Sequence, residues 1–163
     1  MNVKAVFLTT IFGFLLWLGL TLQVDPYNMA IGGVVALLLG GIFGAKSSWR
    51  DLKLTPRSIL AVAIWVVVLM IEIVRSTIDV MLRVIAPRVR INPAIVEVKT
   101  RLKTKTGRLA LASSITLTPG TLTADIQDDR LYIHWIDAQS TDVDAATREI
   151  VRKFEKHLEV IFG

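Results

Sequence analysis

The chain has 163 residues, 53% of them hydrophobic and 20% charged, and a formal net charge of +5. Its length allows one domain, or one with a small appendage, and its composition is more apolar than that of a water-soluble domain of this size. Without cysteine there is no disulfide framework, thiolate metal site, iron–sulfur cluster or Cys nucleophile. His134 and His157 lie too far apart for an H-x-x-x-H metal pair. No phosphate-binding, dinucleotide-binding or nucleophile-elbow motif is present, so no enzyme activity, metal or cofactor is expected on this chain.

The charges are unevenly spread. Residues 1–86 hold eleven of the 33 charged side chains and residues 87–163 the other 22. This predicts membrane helices over 1–86 and a cytoplasmic α+β domain over 87–163. Residues 5–22 and 27–45 are uncharged runs close to the roughly 20 residues that a spanning helix needs. The polar turn between them contains Pro26, which prevents helix continuation, so a helical hairpin is expected. A cleavable signal peptide is the rival reading of 1–22, but Lys4 is its only basic residue and no A-x-A-like site follows.

The second helix carries Gly32, Ala36, Gly40 and Gly44, a small residue at every fourth position. Such a stripe lets another helix backbone approach closely. The spacing does not name the partner; the chain's own first helix is a candidate. A third apolar run, 59–71, is thirteen residues long, shorter than a full span.

The same helix is expected to continue through Glu72, Arg75, Asp79 and Arg83. At about 100° per residue these four lie within about 80° of one another, with alternating sign. They are read as an ion-pair ladder along one face, forming a buried ion-pair face or a subunit interface. Two readings compete: charges at membrane depth that mark a proton path, or a self-neutralising stripe on an amphipathic helix near the headgroups.

Charge bias bears on topology. The turn at 23–28 has no Lys or Arg, whereas Lys46, Arg50, Lys53 and Arg57 outnumber Asp51 in the next linker. Residues 83–108 hold eight basic side chains, Arg88 and Arg90 among them, against Glu97 alone. Two spans plus a third helix that does not cross would put every basic cluster in the cytoplasm. This basic excess needs no nucleic acid, since the stretch 99–108 lacks interleaved aromatics.

In the second half, residues 94–99 read as a strand and 107–118 as a helix stopped by Pro119-Gly120. The alternation of 121–127, placing Leu122, Ala124 and Ile126 on one face, and of 131–136 predicts an antiparallel hairpin. A final helix should start near Thr141 or Asp142, with Val143, Ile150, Phe154, Leu158 and Ile161 as its apolar stripe. The order is β-α-β-β-α. His134 and Trp135 should point to opposite faces of their strand.

The segments Ser-Ile-Thr-Leu-Thr-Pro-Gly-Thr at 114–121 and Leu-Tyr-Ile-His-Trp-Ile-Asp at 131–137 resemble hallmarks of the E subunits of the Mrp-type multisubunit sodium/proton antiporters. The likeness extends over the whole chain. It implies an accessory component of a large cation/proton antiporter in the cytoplasmic membrane, with a cytoplasmic soluble domain and ion channels formed chiefly by larger partners. It implies as partners other membrane subunits and the bilayer, with no small-molecule substrate bound by this chain alone. The same type of component also occurs in archaeal respiratory assemblies, including membrane-bound hydrogenases, which gives an alternative parent complex. A free-standing membrane adaptor is a third reading. The family supplies no catalytic residue, and Thr118, Pro119 and Gly120 are read as a turn that ends the helix and starts the hairpin.

Overall fold

The structure, a computed structural model, describes residues 3–44, 53, 55–87 and 91–163. The linker residues Lys46, Arg50 and Asp51 and the joint residues Arg88 and Arg90 lie outside them. The chain forms two compact units, Met1–Leu52 and Lys53–Gly163.

The first unit is an antiparallel hairpin of α1 (Val3–Thr21) and α2 (Pro26–Phe43). Each is about 27–29 Å long, close to the thickness of a bilayer's hydrocarbon. Asp25 caps α2 by accepting from the backbone N–H groups of Tyr27 and Asn28, and Pro26 occupies the first turn, where its missing N–H costs nothing. Asn28 ties the turn back to α1. Its amide donates to Thr21 Oγ1 and the Gln23 carbonyl, and its Oδ1 accepts from Trp17 Nε1. Polar groups at the end of the hairpin are thereby satisfied within it.

The second unit opens with α3 (Pro56–Ile85), unbroken over 30 residues or about 45 Å. A capping box between Thr55 and Ser58 starts it. The thirteen-residue apolar run therefore understates the helix: α1, α2 and α3 are all long and apolar enough to cross a membrane by length and composition. By compactness the chain divides before α3, whereas the charge distribution of the sequence puts the division at residue 86.

A three-stranded antiparallel sheet follows, in the order β1 (Ala94–Lys99), β3 (Arg130–Trp135), β2 (Thr121–Gln127). Helix α4 (Lys105–Leu117) connects β1 to β2. After β3 come α5 (Val143–Ala146), one π-helical turn (Thr147–Val151) and α6 (Arg152–Phe162). The expected β-α-β-β-α order is present, with the last helix interrupted by that turn. Val96, Val98, Leu131 and Ile133 on the inner sheet face meet Leu111, Ile115, Phe154 and Leu158 in a core closed to solvent. Ile150 and Val151 in the π turn are both buried.

One expectation about the sheet fails. Leu122, Ala124 and Ile126 do not share a face, because a β-bulge interrupts β2 between Thr123 and Asp125. Leu122 pairs with His134 on the outer face and is 53% exposed, whereas Ile126 pairs with Leu131 of the core row. A one-residue insertion reverses the side-chain alternation beyond it. His134 is exposed, and Trp135 is half-buried on the opposite side of the strand.

Candidate functional site

The family-like segments and the charged face of α3 meet in one cavity of about 450 Å³ within the second unit. Glu72, Arg75, Asp79 and Arg83 come from α3, Thr118–Thr121 from the turn after α4, Trp135–Asp137 from the end of β3, and Glu149 and Lys153 from the last helix.

The turn is built by its residue types. Pro119 and Gly120 are its central residues and Thr121 N–H donates to the Thr118 carbonyl at 3.2 Å. Gly120 has φ +90°, the positive value that the third position of a type II turn requires and glycine supplies without strain. A Cβ there would stand 3.0 Å from Ile136 Cγ2. The Gly120 carbonyl accepts from Ile136 N–H at 2.9 Å, and the threonine hydroxyls close the preceding helix end: Thr118 Oγ1 donates to the Ser114 carbonyl and Thr121 Oγ1 to that of Ile115. Asn92 holds the following strand end by accepting from Ala138 N–H and donating to the Ala138 carbonyl. The motif is thus a rigid wall of the cavity.

The charges are arranged differently from the expected ladder. Only one rung forms within α3, Arg83 to Asp79 at 2.8 Å. Arg83 also reaches Asp137 at 2.7 Å, and Glu72 pairs with Lys153 at 2.5 Å, 81 residues away in sequence. Arg75 is exposed and makes no ion pair among the described residues. Neutralisation comes chiefly from the domain that α3 packs against, since side chains one turn apart on an exposed helix gain little from pairing with each other. Asp137 is visible in the sequence motif, though without its role; Lys153 carries no local signal, because its partner is fixed only by the fold. A further link missed in the sequence is Trp65 Nε1 donating to Ser114 Oγ at 3.2 Å.

Chemically the cavity holds carboxylates facing cations, with neither a hydroxyl–imidazole pair nor a thiol. Among the described residues no three His, Asp or Glu side chains are grouped to hold a metal ion. Elsewhere in the unit, Glu155 is buried and accepts from Thr100 Oγ1 and Arg101 N–H, so its charge is satisfied locally.

The small-residue stripe lies in the other unit and faces α1. A Cβ at Gly32 would overlap the Trp17 ring, one at Gly40 would overlap Thr10 Oγ1, and one at Gly44 would stand 2.6 Å from Val6 Cα. Gly13 lies opposite Ala36. The groove is filled by the chain's own first helix.

A family model described as Na+/H+ ion antiporter subunit matches residues 10–161. The E subunit of a Na(+)/H(+) antiporter from Alkalihalophilus pseudofirmus is 40% identical over 100 residues, which are 57% of this chain and 62% of that relative, under two thirds of its length. The E1 subunit of a Na(+)/H(+) antiporter from Staphylococcus saprophyticus is 35% identical over 123 residues, 74% of this chain and 75% of that one. Among solved structures, a chain of the membrane-bound sulfane sulfur reductase, an archaeal respiratory membrane complex, superposes with a TM-score of 0.85 at 36% identity, covering 98% of this chain and all of that one.

Proposed function

The chain belongs to the Na+/H+ ion antiporter subunit family, and from that membership we propose that it is an accessory, non-catalytic part of a multisubunit complex exchanging sodium for protons across the cytoplasmic membrane. The observation that carries the reading is the match over residues 10–161, which takes in the hairpin, α3 and the α+β domain. The cavity agrees with it. Glu72, Asp79 and Arg83 are engaged in pairs at 2.5–2.8 Å, an arrangement suited to holding α3 on its domain.

The α+β domain belongs in the cytoplasm. The basic residues of the 46–57 linker and of 83–108 support this, since loops rich in Lys and Arg stay on the cytoplasmic side. The partners are larger membrane subunits that supply the ion path. Deleting the chain from its host should abolish sodium-driven proton movement in everted membrane vesicles and disperse the complex. Full exchange without the chain would remove the proposal.

One observation favours a second parent complex. The superposition on a chain of an archaeal respiratory complex is nearly complete, so the same building block fits a redox-driven pump whose cofactors reside on other subunits. Metal-cluster proteins that co-purify with the chain would select that reading.

A further inference from the structure

We infer that α3 does not cross the bilayer but lies along its surface, with the side facing away from the α+β domain seated in the lipid leaflet. The proposal rests on reading the hairpin as membrane-spanning and is independent of which ion the complex moves.

Helix α3 has two faces, each maintained over its whole length. Ala61, Trp65, Leu69, Glu72, Val80 and Arg83 fall on one line and meet the domain: Leu69 is buried, Trp65 bonds to Ser114, Glu72 to Lys153 and Arg83 to Asp137. Leu60, Val67, Val74 and Met81, spaced by seven, fall on the opposite line, about 180° away at 100° per residue. Each is about half or more exposed, from 48% at Met81 to 61% at Leu60, and Ile85 extends the line at 71%. The apolar stripe runs from Ile59 to Ile85, about 40 Å, longer than the roughly 30 Å of a bilayer's hydrocarbon.

A crossing orientation conflicts with this packing. The domain lies alongside α3 from Lys53, whose N–H donates to the Ile161 carbonyl, to Arg83, which pairs with Asp137. Standing α3 upright would carry much of that domain into hydrocarbon, including the exposed charges Arg152 and Lys156 beside α3's partner Lys153. Charges at that depth are strongly disfavoured. Laid flat, the helix keeps the domain in water and gives the stripe an apolar partner, as amphipathic surface helices do.

One further observation selects lipid as that partner. Arg57, exposed near the start of α3, lies at the edge of the stripe, where its guanidinium can reach lipid phosphates while its stem stays on the apolar side; Arg75, further along the same line, borders the cavity.

The chain's lack of cysteine makes the test direct. Single cysteines at Leu60, Val67, Val74 and Met81, with Ser140→Cys as a water-exposed control, would be labelled with bimane in the full chain within its native membranes. Quenching by bromolipids substituted at graded acyl depths would then be measured. A surface helix gives the same shallow depth, about 5–10 Å below the headgroups, at all four positions. A crossing helix changes depth by about 10 Å from each position to the next and overturns the proposal. Absence of lipid quenching at the four positions also overturns it, and shows that protein covers the stripe. Repeating the measurement on the isolated chain in vesicles separates this result from the identity of the complex, because the depths are read without any partner.

Discussion

Replacing Glu72 by Gln separates a structural role for the cavity's charges from a proton-carrying one. Glu72 and Lys153 stand 2.5 Å apart, with side chains 18% and 33% exposed. A charge-assisted bond that is only partly screened is worth more than a surface pair, about 1–2 kcal/mol. Gln retains the shape and one acceptor oxygen but loses the charge, so the unit should melt about 4–8 °C lower. Lys153→Met should cost a similar amount by leaving Glu72 without its cation. The double substitution should cost less than the two singles added, with a coupling of about 1–2 kcal/mol in a double-mutant cycle. Thermal unfolding of the purified chain reads stability, and sodium-driven proton movement in everted vesicles reads function. The pair being structural, Glu72→Gln should assemble and retain most of its transport. Abolished transport with an intact complex and an unchanged melting temperature would refute this reasoning and make Glu72 part of an ion path.

Other outcomes follow from particular contacts. At Gly120, with φ +90° and Ile136 Cγ2 close to any added Cβ, alanine should destabilise the unit by about 1–3 kcal/mol in thermal unfolding, and asparagine, which tolerates positive φ, by less; equal losses would show that crowding rather than backbone conformation sets the cost. A Cβ at Gly13 would stand 3.7 Å from Ala36 Cβ, within the range for a disulfide. The Gly13→Cys, Ala36→Cys chain should therefore cross-link within one polypeptide under mild oxidation, whereas Gly33→Cys, with nothing within 4 Å, should not pair with Gly13→Cys. Burial and the nearby Lys156 push His157 below its usual pKa, and its Nε2 is buried without a hydrogen-bond partner among the described residues. The unfolded chain then takes up a proton that the folded one resists, so stability should fall as pH drops below about 6.5 and through the folded pKa. His157→Gln should flatten that dependence in melting curves recorded between pH 7.5 and 5.

Much of the architecture can be read from local patterns. The β-branched residues of 94–99 and the alternation on either side of the Gln127–Arg130 turn mark the three strands, and the four-residue spacing of Gly32, Ala36, Gly40 and Gly44 identifies the buried side of α2. The 3.6-residue period places Glu72, Arg75, Asp79 and Arg83 on one side of α3, and in the fold that side lines the cavity. Long-range or irregular features are not legible in the same way. The bulge in β2 looks like ordinary alternation in sequence, because Ala124 suits either face. The π turn at Thr147–Val151 interrupts what reads in sequence as one continuous amphipathic helix. Nearest neighbours on a helix suggest that Glu72 pairs with Arg75, but Lys153 arrives from a helix whose position depends on the whole domain. Arg83 likewise divides its charge between Asp79 and the distant Asp137. The motif segments are recognisable as strings, yet their shared purpose becomes visible only when Gly120, Ile136 and Val80 lie against one another.

Purifying the tagged protein from its native membranes in mild detergent, and identifying its stable partners by mass spectrometry, decides whether this chain is an accessory part of a membrane antiporter. Large, multi-spanning antiporter-type subunits in fixed ratio to the chain, without metal-cluster proteins, are expected. A chain that leaves the membrane alone, at about its own 18.1 kDa plus detergent, would contradict it.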